Sequence, residues 1–352
     1  MIKNSRMYVG IDLHKSVIQV CVLDSDGTTV SETRHTGSSL KEGLEVVQHL
    51  ARWKRVAQVC VESVGMNRWF VNACVAAGLE VIVVDPVKLN LRMLGKKTDR
   101  RDAYEIARRL RLGDVARNAQ TYYPTEEEYA FRKLLRTRHK LVHLRQQLTN
   151  QVRGLLAAYR LPCPTSALYI PKNLKILSAI ELPNQMLHEC HEAIVAALHR
   201  VQASINDLTT SLERKTRRSK ANALIEHVPS VGFQTAATLF YELGDVRRFK
   251  NAKAAASYAG LVPRVAASAD KSHHGKITKR GNPELRWILS QMAVRLMSRD
   301  PRVQAWAGPR LRRTHKNKVR ITLARRLLVG VYYMLRHGEA FDLNRCLGLP
   351  VA

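Results

Sequence analysis

Four acids in the first third of the chain stand where carboxylates can act together. Asp12 lies in "YVGIDLHK" and Glu62 ends "VAQVCVE", two apolar stretches that read as strands. An unpaired carboxylate is costly in such a setting, so each calls for a partner. Asp99 and Asp102, in "KKTDRRDAYEIARRL", are three apart at a helix start, which puts both on one face. Two strand-borne acids beside two helix-borne ones make a hard, oxygen-rich site suited to Mg²⁺ or Mn²⁺. Two such ions can hold both the attacking and the leaving oxygen of a phosphodiester. Singly, each acid also has an ordinary explanation. Asp12 can cap a turn with His14 and Lys15, and Glu62 can be a strand-end salt bridge. Asp99 and Asp102 favour a helix N-terminus, with Asp99 free to pair Arg100 or Arg101. Their occurrence together in one strand-rich segment gives the joint reading its weight.

The balance of charge names the class of partner. The chain has 352 residues, with 58 Lys and Arg against 29 Asp and Glu, a formal charge of +29. That excess exceeds what solubility requires and points to a polyanion. Basic residues cluster in "KLNLRMLGKKTDRRDAYEIARRLRLGDVAR", which contains Lys96, Lys97, Arg100 and Arg101, and in "SRDPRVQAWAGPRLRRTHKNKVRITLARR". Both read as phosphate-contacting surfaces. Six scattered cysteines form no Cys-x-x-Cys pair, which argues against a zinc site or disulfide framework and for a reducing cytoplasm. Neither a signal peptide nor a stretch of roughly 20 apolar residues is present, so a soluble protein is expected.

The elements that must position these residues change character along the chain. "MYVGIDL", "VIQVCVLD" and "TTVSETRH" read as consecutive strands. After them come a helix capped by Ser39, a short buried strand, a helix stopped by Gly78 and a further strand, which together predict a mixed sheet with helices on its faces. Beyond Pro124 the pattern is helical. Apolar residues from Leu134 to Tyr159, through Leu141, Leu144, Leu148, Val152 and Leu155, and again from Leu187 to Leu212, recur at spacings of three, four or seven. Three prolines in "RLPCPTSALYIPKN" separate the two runs, predicting an antiparallel coiled-coil hairpin. A third unit begins near Asn222. "LIEHVPSVGFQTAATLFYELGDVRRF" has the form of a helix-hairpin-helix, whose turn at Gly232 can offer backbone amides to a phosphate. A long polar, basic loop then runs from Pro263 to Asn282, with Gly281 for the turn, Asn282 as N-cap and Pro283 at the first helical position of the next helix.

These motifs, in this order, resemble the DEDD transposases of the insertion-sequence 110 family. The residues that carry the resemblance are Asp12 in "YVGIDLHK", Glu62 in "CVESVGMN", Asp99 and Asp102 in "KTDRRDAYEIARRL", and the C-terminal "VPSVGFQTAATLFYELGDVRRFKNAKAAASYAGLVP…GKITKRGNPELRWIL". The fold implied is α/β plus α: a RuvC-like, RNase H-like catalytic domain at 1–120, a coiled-coil region at 121–218 and a mainly helical transposase domain at 219–352.

The resemblance also implies a mechanism. The four acids bind divalent metal, expected to be two Mg²⁺ or Mn²⁺ ions, and a C-terminal serine is the nucleophile, linked transiently to DNA. A structured bridge RNA pairs donor and target DNA, and dimers assemble into tetramers in the bacterial cytoplasm, on the nucleoid. By its distance from "GLVP" and "GKITKRGN" the serine is Ser268. Family members commonly have glycine after it, whereas this chain reads Ala267-Ser268-Ala269, which leaves Ser272 as a competitor. Lys276, Lys279 and Arg280 would neutralise the scissile phosphate, and Asp270, His273 and His274 are the nearby candidate bases. The alternatives are a RuvC-like nuclease acting by metal alone and a nucleic-acid-binding protein without catalysis. An actin-like ATPase is disfavoured because "GIDLHKS" lacks a glycine-rich phosphate loop.

Overall fold

The first sheet is built around strands buried on both faces: β1 (Met7–Leu13) and β2 (Val17–Leu23) are almost wholly inaccessible along their length. β2 runs antiparallel to both β1 and β3 (Thr29–Thr36), and β4 (Val56–Glu62) and β5 (Val81–Val84) run parallel to β1. The strand order β3-β2-β1-β4-β5 is that of an RNase H-like sheet. This computed structural model describes residues 6–37, 39–53, 56–89, 98–115, 119–268 and 271–350. By its internal packing the chain divides after Tyr123 into two units.

In the first unit alternate strand residues face opposite layers, as the pleat requires. Val9, Ile11, Ile18, Val20, Val59 and Val61 pack with α1 (Leu40–Ala51) and α2 (Arg68–Ala76). Ser39 caps α1 through a reciprocal capping box with Glu42, as its sequence predicts. The other face carries Gly10, Asp12, Cys21 and Cys60. There α4 (Asp99–Arg111) lies across the sheet, after the short α3 (Pro86–Leu89), through Ala103, Ile106, Ala107 and Leu110. Burial pushes the thiols of Cys21, Cys60 and Cys74 up to about 12, so these cysteines act as packing groups.

The second unit is mostly helical. α5 (Glu126–Ala158) and α7 (Gln185–Arg217) form a hairpin with α6 (Pro171–Ser178) between them. Pairing of Arg138 with Thr209 and of Arg145 with Gln202 fixes the hairpin as antiparallel. Its buried residues include Leu135, Val152, Leu156, Leu198, Ile205 and Leu212. Leu144 and Tyr159, expected in the seam, are exposed, because a repeat of seven drifts around a helix of 3.6 residues per turn.

Beyond the hairpin, α8 (Asn222–His227), α9 (Phe233–Leu243), α10 (Ala252–Tyr258), α11 (Pro283–Arg299), α12 (Pro301–Leu311), α13 (Lys316–His337) and α14 (Leu343–Leu347) enclose one core. The segment after Pro263 is not the loop its polarity predicts. It forms an antiparallel hairpin of β6 (Pro263–Ser268) and β7 (Lys271–Ile277). Its short, small and charged residues lack the apolar alternation that marks a strand in sequence. Among the described residues no helix is long and apolar enough to cross a membrane.

Candidate metal centre and phosphate contacts

The first unit gathers acids at one end of its sheet. The last paired residues of β1 and β4 are Ile11 and Val61, so Asp12 and Glu62 follow side by side at the carboxyl ends of neighbouring parallel strands. Both fall on the face covered by α4, opposite the Ile11 and Val61 layer. Such strands lie about 4.8 Å apart.

Gly10 sets how closely α4 can approach. A Cβ placed there would lie 2.2 Å from the carbonyl oxygen of Ala103 and 2.4 Å from the amide nitrogen of Ala107. The helix backbone therefore rests directly on β1, and its first turn comes down beside Asp12. Thr98 caps α4 by accepting from the amide of Arg101, and Asp99 and Asp102 occupy the first turn. Asp102 continues the buried stripe of Ala103, Ile106, Ala107 and Leu110, while Asp99 is about half exposed.

His14 ties this group together. Its Nε2 lies 3.1 Å from Asp12 Oδ2 and 3.5 Å from Asp99 Oδ1. Ligand atoms of Asp12, His14 and Asp99 all fall within 4.8 Å of one another, and among the described residues no other such group is found. Glu62 and Asp102 border this group without belonging to it. Burial is the main reason the Asp12 carboxyl is held above its ordinary pKa. His14 opposes the shift, and the charges of Asp99 and Asp102 add to it. A buried carboxylate pressed by two others is the electrostatic condition a divalent cation relieves, and oxygen donors suit a hard ion. The residues present thus fit a divalent metal, which Asp12 and Asp99 would hold. A cleft of about 670 Å³, lined by Gln19, Arg34, Thr98 and Asp99 among others, opens beside them.

His14 escaped the sequence reading, which treated it only as a turn partner of Asp12. The signal was its position two residues beyond Asp12, at the start of the turn that leads into β2. Arg100 is engaged elsewhere: it pairs with Glu32 on β3 and not with Asp99. Arg101 is exposed, whereas Lys96 and Lys97 lie outside the described residues.

In the second unit Ser268 is the last residue of β6, its backbone in register with Lys271, and Ser272 lies on β7 opposite Ala267. Lys276 is on β7, and Asp270 lies outside the described residues. Lys279 and Arg280 are exposed immediately after the hairpin, Lys279 with φ +52°. Gly232 is the exposed N-cap of α9. No side chain caps that helix, and nothing stands within 4 Å of a Cβ built there, so the turn is open to an approaching phosphate.

Comparison with known proteins bears on both units. Residues 9–161 match a DEDD transposase model of the IS110 group, described as "Transposase". Residues 222–307 match "Transposase IS116/IS110/IS902 family". The chain is 25% identical over 350 residues to the transposase for insertion sequence element IS1111A of Coxiella burnetii, with 95% of this chain and 90% of that protein aligned. It is 24% identical over 344 residues to the IS1328 transposase of Yersinia enterocolitica, covering 95% and 98% respectively. A Thermus thermophilus RuvC structure in complex with a Holliday junction substrate aligns at 15% identity and TM-score 0.26, over 33% of this chain and 99% of that one.

Proposed function

The chain belongs to the IS110 family of DEDD transposases, and from that premise we propose that it moves its insertion sequence by serine-linked, RNA-guided strand exchange. The observation that carries the reading is the convergence of Asp12 and Asp99, with His14, at the sheet end where Glu62 also lies. Asp12, Glu62, Asp99 and Asp102 would hold a divalent cation, taken to be Mg²⁺. When bound, it supplies positive charge to a phosphate undergoing substitution.

The protein's own groups do the rest. Ser268 Oγ forms a bond to the scissile phosphorus as the bond between that phosphorus and the DNA strand oxygen breaks; the serine proton passes to solvent or a neighbouring base, and the leaving strand oxygen takes up a proton and departs as a hydroxyl. The phosphodiester energy stays in the phosphoserine, so attack by the exchanged strand's hydroxyl regenerates serine without a nucleotide cofactor. Lys276, Lys279 and Arg280 offset charge on the pentavalent phosphorus, and Gly232 with Arg101 and the Lys96–Lys97 pair hold flanking phosphates. In this division of labour 1–120 is the metal-holding domain, 121–218 the spacer and 219–352 the serine-bearing domain. Dimers that join as tetramers would bring donor and target together on the nucleoid.

RNA guidance is tested by altering the element's flanking transcript. Insertion should move to whatever DNA the altered RNA can pair with, and chelation by EDTA should stop it. Insertion at an unchanged site without the transcript would contradict this part of the reading.

A further inference from the structure

Among the described residues of the second unit, Glu242 is a buried carboxylate that accepts three N–H hydrogen bonds, and it is not part of the site described above. It lies near the end of α9 and is fully buried. Arg136 of α5 reaches it bidentately, Nε to Oε1 at 2.7 Å and Nη2 to Oε2 at 2.7 Å. Asn282 Nδ2 donates to the same Oε2 at 2.6 Å. One turn earlier on α5, Arg132 donates to the Tyr241 carbonyl at 2.7 Å. One turn later His139 meets Glu284 Oε2 at 2.6 Å. Positions 132, 136 and 139 share one helix face, so α5 is fastened to α9 and α11 by three polar rungs.

Asn282 links these rungs to the β6–β7 hairpin. Its Oδ1 caps α11 by accepting from the amides of Glu284 and Leu285, and its own amide donates to the Tyr258 carbonyl at 2.7 Å. Gly281, at φ +128°, has no room for a Cβ, which would lie 2.3 Å from that same carbonyl. Thr278 donates to the Val262 carbonyl at 2.9 Å, closing the other side of the hairpin's base. Lys279 and Arg280 project from between these two ties.

We propose that Glu242 is a positioning residue for the transposition reaction: through Asn282 and Arg136 it fixes the base of the β6–β7 hairpin and the Lys279–Arg280 turn against the spacer helix α5. The carboxylate is needed because the three atoms hydrogen-bonded to it, two of Arg136 and one of Asn282, are all N–H donors. An amide there can accept on one oxygen only and would turn its own N–H₂ toward a donor, leaving a buried group unpaired. This inference rests on the reading of Lys279 and Arg280 as phosphate contacts.

The test compares E242Q with the full-length wild type on the element's own DNA ends and transcript, reading strand-cleavage rate against DNA concentration. The account expects a fall of about tenfold or more in the rate at saturating DNA, with the half-saturating concentration within about twofold of wild type. Leu343→Ala, a cavity variant on α14 in the same unit, serves as the stability control and should leave the saturated rate in place. An unchanged saturated rate in E242Q, or an equal loss in the Leu343 control, overturns the inference. Replacing Lys279 and Arg280 with Ala tests the premise separately. If that double variant cleaves and binds as wild type, the phosphate-contact reading fails, whatever Glu242 does.

Discussion

Asp12 carries opposite demands from folding and from chemistry. Its carboxyl is buried and lies near Asp99 and Asp102, which raises its pKa above the ordinary value of 3.8. A carboxylate with a raised folded-state pKa binds protons more readily in the native than in the unfolded chain. Stability therefore falls as pH rises from the unfolded value through the folded one, and at neutral pH the charge is a net cost. Asp12→Asn removes that charge with little change in shape. In EDTA the variant is expected to melt at a higher temperature than wild type at pH 7. In Mg²⁺ its strand cleavage should fall by at least about a hundredfold, or about 2.7 kcal/mol of transition-state stabilisation. A variant that melts lower in EDTA would contradict the cost of the buried charge, and one that cleaves as wild type would remove Asp12 from the metal site. His14 belongs to the same scale. Its nearness to Asp12 could be anticipated from its place two residues on, at the start of a turn, but a histidine beside an acid in sequence is too common to single out.

At the scale of elements, the packing of α4 on β1 determines whether the acids meet. Gly10 is the contact point, and its missing side chain lets the helix backbone touch the strand. Gly10→Ala would push α4 outward and carry Asp99 and Asp102 away from Asp12. Overpacking of this kind costs about 1–3 kcal/mol, and cleavage should drop by about tenfold or more while the chain remains folded. Circular dichroism and a cleavage assay measure the two effects. Wild-type cleavage in a folded Gly10→Ala chain would show that the α4 acids are dispensable. In sequence, the strands, α1 with its Ser39 cap, and the start of α4 were readable because short apolar, β-branched runs bounded by turn residues mark buried strands and caps are local. The closeness of α4 to Gly10 was not, since it depends on residues about ninety positions apart. The β6–β7 hairpin was likewise hidden, because Ala-Ala-Ser and His-His-Gly carry no strand periodicity. The Arg136–Glu242–Asn282 junction joins three distant segments, and only Asn282 announced itself, through its place before Pro283.

For the whole molecule, a formal charge of +29 suits a DNA transposase, whose substrate is a polyanion. The acids are confined to a sheet end in one unit, and the serine hairpin with its basic turn belongs to the other. Sequence motifs identified the family because they are separated, ordered and span most of the chain. They left Ser268 and Ser272 unresolved, and in the fold these two serines lie on opposite strands of one hairpin. The most direct measurement is therefore to trap the reaction on the element's own DNA with transcript and Mg²⁺, denature it, and map any covalent protein–DNA adduct by mass spectrometry. The account predicts an adduct at Ser268 in the wild type and neither adduct nor strand exchange in Ser268→Ala. Undiminished cleavage without an adduct in Ser268→Ala would contradict the serine mechanism, and an adduct at Ser272 would contradict the assignment of the nucleophile.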